Sequence, residues 1–424
     1  MSARATSNGT GGLAEARAQL AEGLRASGLA GAMVSEAFRE VPRHVFLPQE
    51  LAERAYEDTA IVVKSDADGL PVSASTQPAM MAIMLEELGL AAGHRVLEIG
   101  TGTGYNAALL ARIVGDSGTV VTIDVEPDLV GRARAVLATA GFTGVTAICG
   151  DGADGVPEHA PYDRIIVTAG VWDLAPQWLT QLAAGGRIVA PISVRGIQLA
   201  VAFEFALPRW VSRMARRCGF IRMTGLSAGP EVVVPLGPQP GLHALAADGP
   251  VPEAGLLYEA LRGPAADVPA PRGLRVSGIT ELADLDLWLA LSEPGLSRLN
   301  MMGRHEGHAD PAQRRVASRM PLGGFAEYGR PGRLAVAALS VPSGLCRNDH
   351  QVEVTVQGYG ADGVALAGHL AERAAVWDGL GRPGAGGLEL AVYPAGTPAE
   401  ATEGKMIIRR PGGVLTAGWP VAAW

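Results

Sequence analysis

The stretch Val96–Leu110, VLEIGTGTGYNAALL, is a hydrophobic run followed by three alternating glycines and a helix-forming segment. In an α/β sheet, ligands bind beyond the carboxyl ends of the strands, at the turn after the first one. Gly100, Gly102 and Gly104, with Thr101 between them, leave bare backbone at that turn. The dinucleotide pattern G-x-G-x-x-G needs a glycine at position 105, where this chain has Tyr105. Glu98 stands just before the glycines, and a carboxylate there repels a pyrophosphate. It suits a cationic ligand such as S-adenosyl-L-methionine, whose ammonium and sulfonium are positive. Asp124, followed by Val125, ends the next apolar run, VVTIDV, where a carboxylate accepts both hydroxyls of a ribose. Asp151 and Gly152, in CGDGADG, end the third run and are placed to meet an adenine ring. Glycines that merely turn and acids that merely cap explain any one of these groups. Three at successive strand ends favour an S-adenosyl-L-methionine site with S-adenosyl-L-homocysteine as product.

The elements that must hold these residues are legible as apolar periodicity. RVLEIG, GTVVTIDV, VTAICGD, YDRIIVTA and GGRIVAPI read as strands, with helices at about 106–114, 129–140 and 176–183 between them. Short, continuously apolar strands alternating with helices predict a parallel sheet covered on both faces. The fold class expected is therefore α/β, a Rossmann-like class I methyltransferase sheet. Helical segments precede it from Leu13 and Ala30, and a further helix runs from Pro78, whose missing N–H suits a first turn, to Leu88. After about Gly225 the composition turns rich in proline and glycine. The division expected is a disordered terminus at 1–12, a catalytic domain at 13–225, a linker or long loop at 226–272, and a smaller α/β or α+β domain at 273–424. In the last, ITELADLDLWLALSEPG and 363–380 read as helices, and RLAVAAL, HQVEVTVQGYG, GLELAVYP and KMIIRRPGGVLTAGWP as strands.

The chain has 424 residues, a net charge of −8 and only 18% charged residues, which argues against a nucleic-acid or anionic-membrane binder. Only Lys64 and Lys405 are lysines, so positive charge is arginine. No apolar run approaches a membrane span and no charged-then-apolar signal opens the chain, so the cytoplasm is the expected compartment. Cys149, Cys218 and Cys346 are odd in number and far apart, which suggests neither disulfides nor zinc. In RHEGH, His305 and His308 are three apart beside a glycine, not the four apart of a helical metalloprotease motif, and no metal is expected. His44 reads as a fold-supporting residue, and Trp288, Trp377 and Trp419 as core. Arg195 and Arg222 are candidates to meet an acidic peptide.

VPRHVFLP (Val41–Pro48), YEDTA (Tyr56–Ala60), STQPAMMAIMLEEL, RVLEIGTGTGY, GDG, PYDRIIVTAG and LAAGGRIVAPI follow one another in this order. The set resembles the protein-L-isoaspartate O-methyltransferases over about residues 13–225. The resemblance implies methyl transfer from S-adenosyl-L-methionine to a carboxylate of a peptide or protein. Where that family has serine in a stretch like I-S-x-P, this chain has Thr76 before Gln77–Pro78, with Ser73 and Ser75 close by. Thr76 and Ser75 are the expected catalytic hydroxyls, and Ser73, Gln77, Arg195 and Arg222 the expected substrate contacts.

The carboxyl-terminal region has no counterpart in the compact repair enzymes. The whole chain resembles extended actinobacterial homologues associated with ribosomal peptide natural products, of the lanthipeptide and graspetide types. That resemblance implies an aspartate side chain of a modified, cyclised precursor peptide as acceptor, whose ester closes to an aspartimide and hydrolyses to isoaspartate. An isoaspartyl repair enzyme with an accessory domain, and a non-catalytic scaffold that keeps S-adenosyl-L-methionine, are the alternatives.

Overall fold

The structure, a computed structural model, describes residues 8–67, 69–225, 228–238, 242–246, 253–293, 296–301, 324–330, 333–340, 351–398 and 405–420. Five apolar runs form the parallel half of a ten-stranded sheet: β1 (Arg95–Ile99), β2 (Thr119–Asp124), β3 (Val145–Cys149), β4 (Tyr162–Val167) and β5 (Leu182–Val194). β1 pairs with β2 on one side and β4 on the other, so the strand order reverses at β1. Helices α1 (Asn8–Ala26), α2 (Ala32–Glu40), α3 (Pro78–Leu88), α4 (Tyr105–Val114) and α5 (Pro127–Thr139) accompany it. α3 starts at Pro78 as the sequence predicts and stops at Gly89, whose φ of 63° ends the helix left-handed. α1 begins at Asn8, inside the segment expected to be disordered.

The sheet is mixed rather than parallel. β5 turns directly into β6 (Ile197–Ala206) and then β7 (Arg209–Cys218), both antiparallel. The chain then returns about 170 residues later with β8 (Glu389–Pro394), β9 (Met406–Arg410) and β10 (Gly413–Gly418), which continue the same sheet. β8 joins through Ala391–Val211 and Val392–Trp210. The carboxyl-terminal strands expected in a separate domain thus complete the catalytic sheet. The segment expected as a linker also carries structure: strands Val232–Pro235, Leu242–Ala246 and Ala265–Pro269 and the helix Ala254–Arg262. Those strands join Leu296–Met301, Gly324–Arg330, Arg333–Ser340 and Thr355–Tyr359 in a second, antiparallel sheet of seven.

One buried cluster runs from Leu97 and Ile99 through Phe203 to Trp288, Trp377 and Trp419, so both sheets share a core. All three tryptophans are buried, as expected. Asp286, on the helix Gly278–Ser292, ties the two parts together electrostatically. It is fully buried and bound by both guanidinium nitrogens of Arg298, at 2.9 and 2.7 Å, and by Arg217 of β7 at 3.0 Å. Burial alone would raise its pKa, but the two arginines hold it below the ordinary carboxylate range. Removing the carboxylate leaves two guanidiniums without their counter-charge, so Asp286→Ala should destabilise the protein by about 3–5 kcal/mol in denaturant unfolding. A loss below about 1 kcal/mol would show that the triad does not join the two parts.

Candidate active site

The glycine loop leaves the carboxyl end of β1 at the switch point. Gly100, Gly102 and Gly104 have φ of 102°, 50° and 82°, conformations that side chains other than glycine rarely adopt. A Cβ on Gly100 would come within 2.5 Å of Thr168 Oγ1, whose hydroxyl donates to the Gly100 carbonyl at 2.7 Å. Asp124 sits beside the loop at the end of β2. Its Oδ2 accepts the Gly102 N–H at 2.9 Å and its Oδ1 the Glu126 N–H at 3.1 Å. Each oxygen keeps a second lone pair, and the side chain is half-buried. Val125 next to it is a half-exposed apolar surface. Bare backbone, a ribose-accepting carboxylate and an apolar face at one switch point fit S-adenosyl-L-methionine.

Not every expected contact faces that place. Glu98 is fully buried beneath the loop, accepting from Asn106 at 2.8 Å and from Thr122 at 2.6 Å. Thr101, also buried, bonds Thr122 at 2.8 Å. These residues hold the loop and offer no face to a ligand, so the charge argument built on Glu98 does not hold, and Glu98 serves to shape the loop. Tyr105 points away too, packed against Phe38 and Phe46 in the amino-terminal helices. Asp151 caps its own turn by accepting the Ala153 N–H at 2.9 Å. Gly152 is buried, its carbonyl taking the Trp178 indole N–H at 2.7 Å.

Burial pushes the Glu98 carboxyl up to about 7, with Asp124 adding to the rise and the Thr122 and Asn106 hydrogen bonds opposing it. Between pH 4.5 and 7 the unfolded chain releases this proton while the folded chain keeps it, so its contribution to stability falls as pH rises through that window. The total is about 3 kcal/mol at roughly 1.4 kcal/mol per unit. Glu98→Gln should remove this slope: relative to the parent, it should gain stability between pH 4.5 and pH 8 in urea titrations. A difference independent of pH would refute the assignment.

The segment facing the loop is the hairpin Ile61–Ser65 and Pro71–Ser75, leading through Thr76 and Gln77 into α3. A Cβ on Gly102 would lie 3.6 Å from Ser73 Oγ, so the two segments touch. Arg43 holds this segment from beneath. Fully buried, it donates to Ser75 Oγ at 3.2 Å and to the carbonyls of Thr76 at 2.9 Å, Ser75 at 3.2 Å and Ala55 at 2.8 Å. Burial lowers its pKa to about 10, which leaves it charged at neutral pH. Asp58 accepts from Gln77 Nε2 at 3.0 Å and from the Ala79 N–H at 2.8 Å, anchoring the start of α3. Gln77 is thereby a structural partner. His44 pairs with the Tyr56 hydroxyl at 2.7 Å, the supporting role expected of it.

Residues 15–228, half of the chain, match the family model of protein-L-isoaspartate(D-aspartate) O-methyltransferases. The chain belongs to that family. It is a methyltransferase that uses S-adenosyl-L-methionine. The protein-L-isoaspartate O-methyltransferase of Thermotoga maritima is 43% identical over 41% of this chain and 54% of its own length. Protein-L-isoaspartate O-methyltransferase 2 of Archaeoglobus fulgidus is 45% identical over 42% of this chain and 78% of its own. The match thus spans about half of the Thermotoga relative. A solved protein-L-isoaspartate O-methyltransferase structure, 26% identical, covers 90% of this chain and 98% of its own with a TM-score of 0.49.

Against this family frame, Arg43 and Asp58 are the residues that motif reading passes over. Arg43 lies inside VPRHVFLP, and its one signal was a charged residue among apolar neighbours that the fold buries. Arg195 occupies a left-handed turn, φ 52°, between β5 and β6; the next residue, Gly196, packs against Arg298 and Leu245 of the second sheet. Arg222 pairs with Glu231 at 3.3 Å. The turn between β9 and β10 reaches over the ends of β4 and β5: Arg410 donates to the Ser193 carbonyl at 2.6 Å and the Gly412 N–H to Asp173 at 2.8 Å. The RHEGH segment and Cys346 lie outside the described residues. Among those described, no helix is long and apolar enough to cross a membrane.

Proposed function

We propose that this protein methylates an aspartyl or isoaspartyl carboxylate of a peptide or protein, and that its own acceptor is an aspartate side chain of a modified ribosomal precursor peptide. The observation that carries the first part is the contact of two segments: the hydroxyl-bearing Ser73–Thr76 stretch, clamped by Arg43, against the bare glycine loop. The narrower acceptor draws support from threonine at position 76 and from a carboxyl-terminal region built into the catalytic sheet. Residues 273–424 serve peptide recognition in this reading, with the β9–β10 turn over β4 and β5 bringing them to the site.

When bound, S-adenosyl-L-methionine supplies an electrophilic methyl group and leaves as S-adenosyl-L-homocysteine. Gly100, Gly102, Gly104, Asp124, Val125, Asp151 and Gly152 surround its place. The acceptor carboxylate is ionised at neutral pH and needs no base, so the chain contributes alignment and exclusion of water. Desolvating that carboxylate is costly without donors. Thr76 supplies a hydroxyl, and Arg43 fixes the backbone that carries it. Ser75 and Ser73 are buried, Ser75 against Arg43, so the acceptor role is assigned to Thr76.

Thr76→Val keeps the shape and deletes the donor. It should lower kcat/KM for the acceptor about 10- to 100-fold, the worth of a hydrogen bond to a charged group, with S-adenosyl-L-methionine affinity unchanged. The acceptor is tested by incubating the enzyme and S-adenosyl-L-methionine with a cyclised aspartate-containing precursor or with generic isoaspartyl peptides, followed by mass spectrometry. Methyl gain and then methanol loss on the precursor is the expected result. Turnover of isoaspartyl peptides alone would return the enzyme to repair, and methylation of neither would leave a binding scaffold.

A further inference from the structure

Beyond the tip of β4 lies a pocket of about 160 Å³, lined by Gly170, Trp172, Ser193, Arg222, Met223 and Glu231 among others. It lies on the β4–β5 half of the sheet, opposite the β2 and β3 ends where Asp124 and Asp151 stand. It is close to the cofactor loop all the same. Thr168, two residues before Gly170, bonds Gly100, and the Met223 methyl would lie 2.9 Å from a Cβ on Gly152. A ligand here sits beside the methyl donor's place, not in it.

The chemistry of the pocket is set by Glu231. Its side chain is only 5% exposed, and Arg222 Nε engages Oε2 at 3.3 Å. Oε1 is buried with no hydrogen-bond partner among the described residues. A buried carboxylate oxygen left in this way is rare in folded proteins and points to a donor that arrives from outside. The neighbouring charges narrow what that donor is. Arg222 lines the pocket, and Arg410 lies over the Trp172 ring at 5.0 Å, so a second cation such as a lysine head meets two guanidiniums. A carboxylate meets Glu231. A cavity of this size is comparable to one that holds benzene, about 150 Å³, so one small or medium side chain fits.

We infer that this pocket binds a neutral hydrogen-bond-donating side chain, a hydroxyl or a carboxamide, on a substrate residue one or two positions from the methylated one, with Glu231 Oε1 as acceptor. The inference rests on the carboxyl-methyltransferase reading above. It makes Glu231 a determinant of sequence context, and Arg222 the residue that orients it.

The test uses the full-length enzyme and a reference peptide with the methylated residue fixed. The two residues on each side are varied in turn among threonine, asparagine, valine, lysine and glutamate. At one position threonine or asparagine should exceed isosteric valine in kcat/KM by about tenfold or more, chiefly through KM, with lysine and glutamate both poor. Calorimetry with unmethylatable asparagine-for-aspartate analogues should show the same order in Kd. In Glu231→Gln the preference should shrink several-fold, while S-adenosyl-L-methionine binds with the parent's Kd, which reports an intact fold. If peptides are methylated without preference for a donor at any of the four positions, the pocket's role is overturned. The same holds if Glu231→Gln leaves a preference untouched. If no peptide is methylated at all, the carboxyl-methyltransferase reading fails and the pocket's role with it.

Discussion

Asp124→Ala raises the dissociation constant for S-adenosyl-L-methionine by about 100-fold or more, measured by calorimetry on the purified protein. The carboxylate ends β2 half-buried beside the glycine loop, with a lone pair on each oxygen beyond the bonds to Gly102 and Glu126. Two ribose hydroxyls donating to it form charge-assisted hydrogen bonds, each worth about 1.5–3 kcal/mol. Two at the low end give about 3 kcal/mol, which is about two decades in Kd. The alanine also releases the Gly102 N–H that sets the loop, so the lower figure is conservative. Asp124→Asn keeps one acceptor oxygen and should fall between. An unchanged Kd in the alanine variant would remove the ribose from this position.

The second large effect is expected at Arg43, which touches neither cofactor nor acceptor. Arg43→Lys keeps the charge but replaces a planar fork of five donors by a point. One ammonium cannot reach the Ser75 hydroxyl and the carbonyls of Ala55, Ser75 and Thr76 together. The Thr76 segment then relaxes, and displacement of a positioned group by about 1 Å costs on the order of 10²-fold in rate. We expect kcat/KM for the acceptor peptide to fall by about that factor, with the Kd for S-adenosyl-L-methionine within about threefold of the parent. That split separates positioning from a general loss of fold. Equal losses in both would reduce Arg43 to a stability residue, and no loss in either would mean the clamp has no part in catalysis. Arg43→Met should go further and destabilise the chain by several kcal/mol, because it leaves buried carbonyls without donors.

The methyl donor and the core of the fold were legible in sequence because both are encoded locally. A glycine loop needs φ values that few other residues adopt, and it must follow a strand and open a helix. Those requirements appear within the fifteen residues Val96–Leu110. Apolar runs at the right lengths likewise located the parallel strands, and even β8 to β10, close to where they lie. What no local pattern carries is pairing. β8 joins β7 through Ala391–Val211, and backbone hydrogen bonds carry no sequence label, so a strand read correctly was assigned to the wrong sheet. Burial is equally non-local. Glu98 reads as a ligand contact until Asn106 and Thr122 close over it. Arg43 is the sharpest case, since its partners stand 12 to 33 residues downstream on different turns and no spacing rule joins them. Sequence alone thus determined which cofactor chemistry the chain supports, through the steric demands of a short turn. Only the tertiary structure decided which charges face that site and which are buried beneath it, because desolvation and hydrogen-bond satisfaction exist only once distant segments meet.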